Sequence, residues 1–363
     1  MFARGICVTS LVLCYGCRPE AIKLGPVAHE LRLLGVRPVL LCTGQHTHLL
    51  AGTPAETDLV EARSLGLASG GSVTRWLASA EAPLKSVLGE HKDAVVVVQG
   101  DTMSALATAR AADALGIPVA HVEAGVRSWD VDEPWPEEHF RREITQLAAW
   151  HYAPTSTAFA NLVRDNVPIT KIRVTGNTVV SALACYTSAK PQVAAEPPGT
   201  ILVTLHRREL QLSPFLPQTL QALGFALAHA HPVQFLWPLH PAMEAAVKQV
   251  TWPENVKFVA PLPYRACVEG LARCVGVLTD SGGLQEEAAT LGVPCAVVRR
   301  VTDRPESVEA GVARLFVPLP EYMDAAVQTL VMKVLPRQPS DVFGTPAAAS
   351  EVARALASLV DKE

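Results

Sequence analysis

The chain has 363 residues, 49% of them hydrophobic, with 31 basic against 35 acidic side chains and a formal net charge of −4. That length can bury two cores, and acids interspersed with bases argue against nucleic acid as the main partner. No stretch approaches the roughly 20 apolar residues of a membrane span, and eight irregularly spaced cysteines in a chain this long do not make a disulfide scaffold.

In chain order, Ile6–Cys14 reads as a first buried strand rather than the apolar core of a signal peptide. Arg18-Pro19-Glu20 follows at once, with Pro where a helix starts, and a cytoplasmic protein is expected. That helix runs to about Leu34. Val39–Cys42 is the second strand and ends in Thr43-Gly44-Gln45-His46. Residues 51–72 are rich in Gly, Ala and Ser without a period and read as loop, while Val73–Leu88 reads as helix. The apolar run Ala94–Val98 then ends at Gln99-Gly100-Asp101-Thr102. Ser104–Leu115 has helical spacing, and Ile117–Val122 ends at Glu123-Ala124-Gly125.

Short apolar run, helix, short apolar run is the pattern of a parallel sheet buried on both faces. A right-handed crossover sets Asp101 and Glu123 on one sheet edge, where open α/β sheets bind ligands. A third acidic group, Glu137 with Glu138, follows Pro136 at a helix start. Plainer explanations exist for two of these three acidic groups: Asp101 can cap the next helix, and Glu137 and Glu138 can complement a helix dipole. Glu123, directly after a buried strand, needs a partner of its own. Three acids converging on one edge suggest proton chemistry.

Glu138–Ala149 (helix), Trp150–Ala153 (strand), Thr155–Asp165 (helix) and Lys171–Val174 complete the first half. Ser188–Gly199 is Pro-rich and aperiodic, a linker. The expected organisation is a first domain over 1–187, the linker 188–199, a second domain over 200–345, and a last helix within 346–363 that returns to the first domain. Strands in the second series are Thr200–Thr204, Gln234–Trp237, Val256–Val259, Val275–Thr279 and Cys295–Val298, with a terminal helix from about Pro346 to Leu359.

Ser281-Gly282-Gly283 lies between a strand and a helix, where glycines let backbone N–H groups approach a phosphate. Arg18, Lys23, His206, Arg207 and Arg304 also follow strand ends. Acids in one domain and an anion cradle in the other predict a diphosphate-bearing ligand held in a cleft. Neither G-x-G-x-x-G nor the P-loop motif occurs, which weighs against hydride transfer and ATP hydrolysis. His46-Thr47-His48 lacks a spaced third ligand, so no metal is expected. Cys14-x-x-Cys17 is formally a redox pair, but Cys14 ends a buried strand. Cys17, at a helix N-terminus beside Arg18, is expected to be an acidic, reactive thiol facing the phosphate site.

The segments GCRPEAIKLGPV, TGQH, QGDTMSALA, PVAHVEAGVRS, PWPEEHFRR, VTGNTVVSAL, VTLHRRE, LTDSGGLQEEA and DRPESVEAG, in that order, resemble the non-hydrolysing UDP-N-acetylglucosamine 2-epimerase family over nearly the whole chain. The resemblance implies an α/β protein of GT-B type, two Rossmann-like doubly wound domains with the nucleotide sugar in the cleft between them. It implies epimerisation of UDP-GlcNAc and UDP-ManNAc by elimination of UDP to a 2-acetamidoglucal and re-addition. Asp101, Glu123, Glu137 and His206 take the catalytic roles; Arg18, Lys23, Ser281, Gly282, Gly283, Glu287 and Arg304 contact the substrate. No metal or redox cofactor is implied, and a homodimer is.

Bacterial members are regulated by a second UDP-GlcNAc, to which Gln45, His46, Arg207 and His240 correspond by the same resemblance. The chain departs from the family pattern at Cys17 (usually Thr), Gln99 (commonly His), Leu262 and Cys267 near the base, and in a short loop after Gln45-His46. From that loop, loss of the UDP-GlcNAc requirement is expected. A hydrolysing epimerase, an epimerase of a related UDP-2-acetamido sugar, a GT-B glycosyltransferase and a non-catalytic nucleotide-sugar sensor are the alternatives. A transferase does not explain three clustered acids, and a sensor does not need them.

Overall fold

The computed structural model describes residues 8–44, 53, 55, 58–67, 71–187 and 199–360. Ile6, Cys7, Gln45, His46, His48 and the linker residues 188–198 lie outside the described residues. The chain divides into two compact units: 1–127 with 136–185 and 344–363, and 128–135 with 186–343.

The first unit is a seven-stranded parallel sheet. Its strands are β1 (Ser10–Tyr15), β2 (Val39–Cys42), β3 (Arg63–Ser64), β4 (Ala94–Gln99), β5 (Val119–Val122), β6 (Trp150–Ala153) and β7 (Ile172–Val174), in the order β3-β2-β1-β4-β5-β6-β7. β4 reads AVVVVQ and is buried throughout, the uninterrupted apolar run of a strand covered on both faces. Ala105, Ala107, Ala109, Ala111 and Ala112 form the buried side of the helix Met103–Ala114, and small side chains let it sit close to the sheet. The first strand begins at Ser10, and the segment expected to be loop contributes β3, two residues paired with Leu41 and Cys42. So short a strand has no room to show a period.

The last helix, Ala348–Ala357, belongs to this unit. Val352, Ala353 and Leu356 share a core with Leu24, Val27 and Leu31 of the helix Arg18–Leu33. Ser181 Oγ fixes its start, donating to the Pro346 carbonyl at 2.8 Å and accepting from Ala349 N at 2.9 Å.

The second unit is a six-stranded parallel sheet of β8 (Thr200–Thr204), β9 (Gln234–Pro238), β10 (Val256–Val259), β11 (Gly276–Thr279), β12 (Cys295–Val298) and β13 (Ala313–Phe316), in the order β10-β9-β8-β11-β12-β13. β13 and the helices Leu216–Ala228 and Pro320–Val331 add to the elements expected from the sequence. Ser128–Trp135, in the middle of the expected first domain, packs with this unit. Arg300 pairs with Asp130 and with Glu133 (3.0 Å), the Arg208 guanidinium lies 4.4 Å from the Trp135 ring, and Glu209 accepts from Trp135 N at 3.3 Å. Strand order reverses at β1/β4 in the first sheet and at β8/β11 in the second, the two places where doubly wound sheets open for ligands.

Two buried histidines pair across β5 and β6, His121 opposite His151. His121 donates through Nε2 to the Gly100 carbonyl at 2.7 Å, so its Nδ1 is a buried lone pair without a hydrogen-bond partner. Burial pushes its pKa down to about 3 and lowers that of His151 as well. Both rings are neutral when folded, whereas an unfolded histidine protonates near pH 6.5. Their stabilising contribution is therefore complete above pH 6.5 and shrinks as pH falls towards the folded value, by about 1.4 kcal/mol per pH unit for each fully shifted group. Urea unfolding at stepped pH should show His121→Gln losing less stability between pH 6.5 and 4 than the parent. Equal slopes would remove His121 from the acid transition.

Candidate active site

At the β1/β4 edge of the first unit, Glu123 and Asp101 are each placed by a charged partner. Glu123 follows β5 with φ at 66°, a left-handed backbone that costs a non-glycine residue about 1–2 kcal/mol. Its Oε2 accepts from Lys23 Nζ and, at 2.8 Å, from Gln99 Nε2 at the end of β4. Lys23 and Glu123 are both buried; a charge so placed requires such a partner.

Thr102, not Asp101, caps the helix Met103–Ala114, accepting from Ala105 N at 3.0 Å. The capping explanation of Asp101 therefore fails. Asp101 Oδ2 instead accepts from Arg141 Nε at 2.7 Å and lies 2.5 Å from Nη2, so one carboxylate oxygen is held by the guanidinium in a charge-assisted contact. Arg141 rises from the helix Glu137–Leu147, whose first residue is the half-buried Glu137. Glu138 is fully buried between Arg141 (3.6 Å) and Arg142 (3.1 Å), an internal ion pair. Arg18 opens the helix after β1.

Glu20 is a part of this edge that sequence reasoning missed. It is fully buried, and its Oε2 accepts from Gly16 N (2.7 Å) and Cys17 N (2.9 Å), while Oε1 accepts from Thr102 Oγ1 at 2.5 Å. Desolvation outweighs those bonds and raises its pKa to about 7. The signal was present: an acid at the third helical position reaching back to the cap is half of a capping box.

In the second unit, Asp280 was also missed. Fully buried at the end of β11, its Oδ2 accepts from the backbone N–H of His206 and of Arg207, each at 2.7 Å, and Oδ1 lies 3.3 Å from His206 Nδ1. The acid directly before Ser281-Gly282-Gly283 thus shapes the turn after β8. Burial lowers the His206 pKa against the opposing pull of Asp280, which favours a neutral ring able to take up a proton. The His240 ring stacks on it, centroids 5.5 Å apart.

Ser281 precedes the helix Gly282–Leu291 without a side-chain cap bond. A Cβ on Gly282 would lie 3.6 Å from Arg207 Nη2 and from the Arg304 guanidinium carbon, so both guanidinium groups stand over this helix start. Arg304 is aimed by Glu286 (2.6 Å) and Asp303 (2.5 Å). A helix N-terminus and two arginines thus stand together here, an arrangement chemically able to take an anion. Glu287 is buried beside the Tyr264 phenol. His206, Arg207, Ser281, Gly282, Gly283 and Arg304 all lie at the β8/β11 reversal or on the adjoining β12 edge.

Cys17 corrects a sequence expectation. Burial, and secondly the negative charge of Glu20, push its thiol well above the ordinary range, so it is a poor thiolate despite its helix N-terminus and Arg18. With iodoacetamide at pH 7, peptide mapping should find the exposed Cys185 labelled before Cys17 among the described cysteines, with activity retained at that stage. First labelling at Cys17 with loss of activity would reverse this assignment.

The family model for UDP-N-acetylglucosamine 2-epimerase matches residues 31–357. UDP-N-acetylglucosamine 2-epimerase of Salmonella typhimurium is 37% identical over 319 residues, 83% of this chain and 85% of that protein. The crystal structure of UDP-GlcNAc 2-epimerase from Neisseria meningitidis bound to UDP-GlcNAc superposes with a TM-score of 0.86 at 30% identity, covering 96% of this chain and all of the other. The Methanocaldococcus jannaschii enzyme in complex with UDP-GlcNAc and UDP gives 0.85 at 29% identity over 96% and 100%. With buried acids ordered along one sheet edge, an anion cradle on the other and relatives of this length and likeness, the chain belongs to the UDP-N-acetylglucosamine 2-epimerase family.

Proposed function

We propose that this chain interconverts UDP-GlcNAc and UDP-ManNAc without hydrolysis, and that Asp101, Glu123, Glu137 and His206 are its proton-handling groups. The observation that supports this is the division of charge: carboxylates gathered at one sheet edge of the first unit, and two arginines over a helix start in the second. A base removes the C2 proton of the sugar. The C2–H electron pair becomes the C1=C2 double bond as the C1–O bond to UDP breaks, leaving 2-acetamidoglucal and UDP. A proton then adds to the opposite face of C2, and UDP returns to C1, so nothing is consumed.

The residues fit these steps. The elimination develops negative charge on the departing diphosphate, and the Ser281–Gly283 amides, Arg207 and Arg304 offer preorganised donors for it. Arg18 adds a cation at the β1/β4 edge. Lys23 and Gln99 hold Glu123, and Arg141 holds Asp101, so each carboxylate meets the sugar in a fixed direction. In this reading Glu287 takes hydroxyls of the ribose. A glycosyltransferase or a sensor gains nothing from acids ordered this way. A cytoplasmic homodimer that supplies a cell-surface polysaccharide precursor completes the reading, on the strength of the family resemblance.

Incubation with UDP-GlcNAc in D2O, followed by NMR, tests the reaction. Deuterium at C2 of the UDP-linked sugar is expected. Free N-acetylmannosamine would indicate a hydrolysing enzyme, and absence of exchange a transferase or a sensor. Asp101→Asn, Glu123→Gln and Glu137→Gln should each slow exchange by about 10²–10⁴-fold while UDP binding persists. Near-parental exchange in all three would sink the assignment. Regulation is tested from the other side: UDP-ManNAc alone should react without a lag, because the loop after Gln45-His46 departs from the family pattern. A reaction that waits for a trace of UDP-GlcNAc would restore the second-ligand requirement.

A further inference from the structure

Glu20 makes more contacts than a helix cap requires. A capping box needs one acceptor for the N-cap N–H, and Oε2 meets that need twice over, at Gly16 N and Cys17 N. Oε1 is spent on a residue 82 positions away, Thr102, which is itself the cap of another helix. The two turns so joined are the ones after β1 and after β4, neighbours at the sheet's reversal point. One carries Arg18 and the other Asp101. They are also in steric contact, since a Cβ on Gly16 would stand 1.9 Å from Ser104 Oγ and 2.3 Å from Thr43 Oγ1.

We propose that Glu20 is a positioning residue for the epimerisation: its one carboxylate bolts the Arg18 turn to the Asp101 turn, so that leaving-group contact and proton-transfer acid are set together. The proposal rests on the reading of Asp101 and Arg18 given above. A buried carboxylate with three hydrogen bonds is costly to desolvate, as its raised pKa records, and a helix cap alone does not call for it. Fully satisfied buried networks hold one geometry at the expense of stability. A glutamate side chain has the length to span both turns, whereas an aspartate is one methylene short.

Glu20→Ala removes all three bonds. Glu20→Gln keeps an acceptor for the two backbone N–H groups but turns an N–H donor towards Thr102 Oγ1, which already accepts from Ala105 N. Measured by C2 deuterium exchange and steady-state kinetics on the full chain, Glu20→Ala should lower kcat about 10²-fold, the scale of a misplacement near 1 Å. KM and UDP affinity, to which Arg18 contributes, should change by less than kcat does, so that the larger part of the loss is felt in the transition state. Glu20→Gln should show a smaller loss of the same kind, and it keeps the test open if the alanine variant does not fold.

The decisive readout is a double-mutant cycle. If Glu20 acts through Asp101, adding Glu20→Gln to Asp101→Asn should cost little beyond Asp101→Asn alone. Full multiplication of the two losses would show a role independent of Asp101 and overturn the proposal, as would parental kcat in both Glu20 variants or a change confined to KM. A parental chain that exchanges no deuterium would overturn the reading of the reaction itself, and this proposal with it.

Discussion

Burying a carboxylate at the end of a strand that is covered on both faces is the constraint around which the site is built. Water cannot reach such a group freely, so the fold must supply its counter-charge and its hydrogen bonds. At Glu123 these come from Lys23 on the first helix and Gln99 on the neighbouring strand. At the half-buried Asp101 the counter-charge is Arg141, while Glu20, buried in the first helix, takes hydrogen bonds from two backbone amides and Thr102. Each partner comes from a different element. The turns after β1, β4 and β5 are therefore interlocked by electrostatics, and the left-handed backbone of Glu123 persists because its side chain is held at the far end.

The second unit solves a different problem with the same material. An anion cradle needs N–H groups and cations facing outward, which would repel one another if nothing stood behind them. Asp280 stands behind the His206–Arg207 turn, and Glu286 and Asp303 stand behind Arg304. Three buried carboxylates thus aim the donors. The His206 ring lies between Asp280 and the His240 face, and burial lowers its pKa.

Much of this was legible in the sequence because parallel sheets write themselves as unbroken apolar runs. β4 and β5 could be placed by eye, and with them Asp101 and Glu123 at adjacent strand ends. What stayed hidden were contacts made across long sequence separations. Nothing local says that Arg141 reaches Asp101, or that Glu20 reaches Thr102 as well as its own cap. Cys17 shows the opposite failure: its local surroundings, a helix start beside an arginine, argue for a reactive thiol, and only burial next to Glu20 reverses the sign. Gln99 was noticed as a departure, yet its partner, the Oε2 of Glu123, is a fact of three dimensions. Ser128–Trp135 looked like part of the first domain because it lies between two of that domain's acids; its companions, Arg300, Arg208 and Glu209, are some 70 to 170 positions downstream.

The placement of the helix Ala348–Ala357 bears on how the protein comes to be made. Val352, Ala353 and Leu356 cover the apolar side of the helix Arg18–Leu33, yet they are translated after the whole of the second sheet. A nascent chain that has finished the first seven strands still presents Leu24, Val27 and Leu31 without that cover. The second unit, complete by Phe343, can close earlier than the first. Synthesis order therefore leaves the cover of the first helix to the end of the chain. For as long as the residues from Val174 to Leu356 take to be added, about 180 of them at synthesis rates of about 5–20 residues per second, that exposed stripe is where a chaperone or a wrong partner would find the chain.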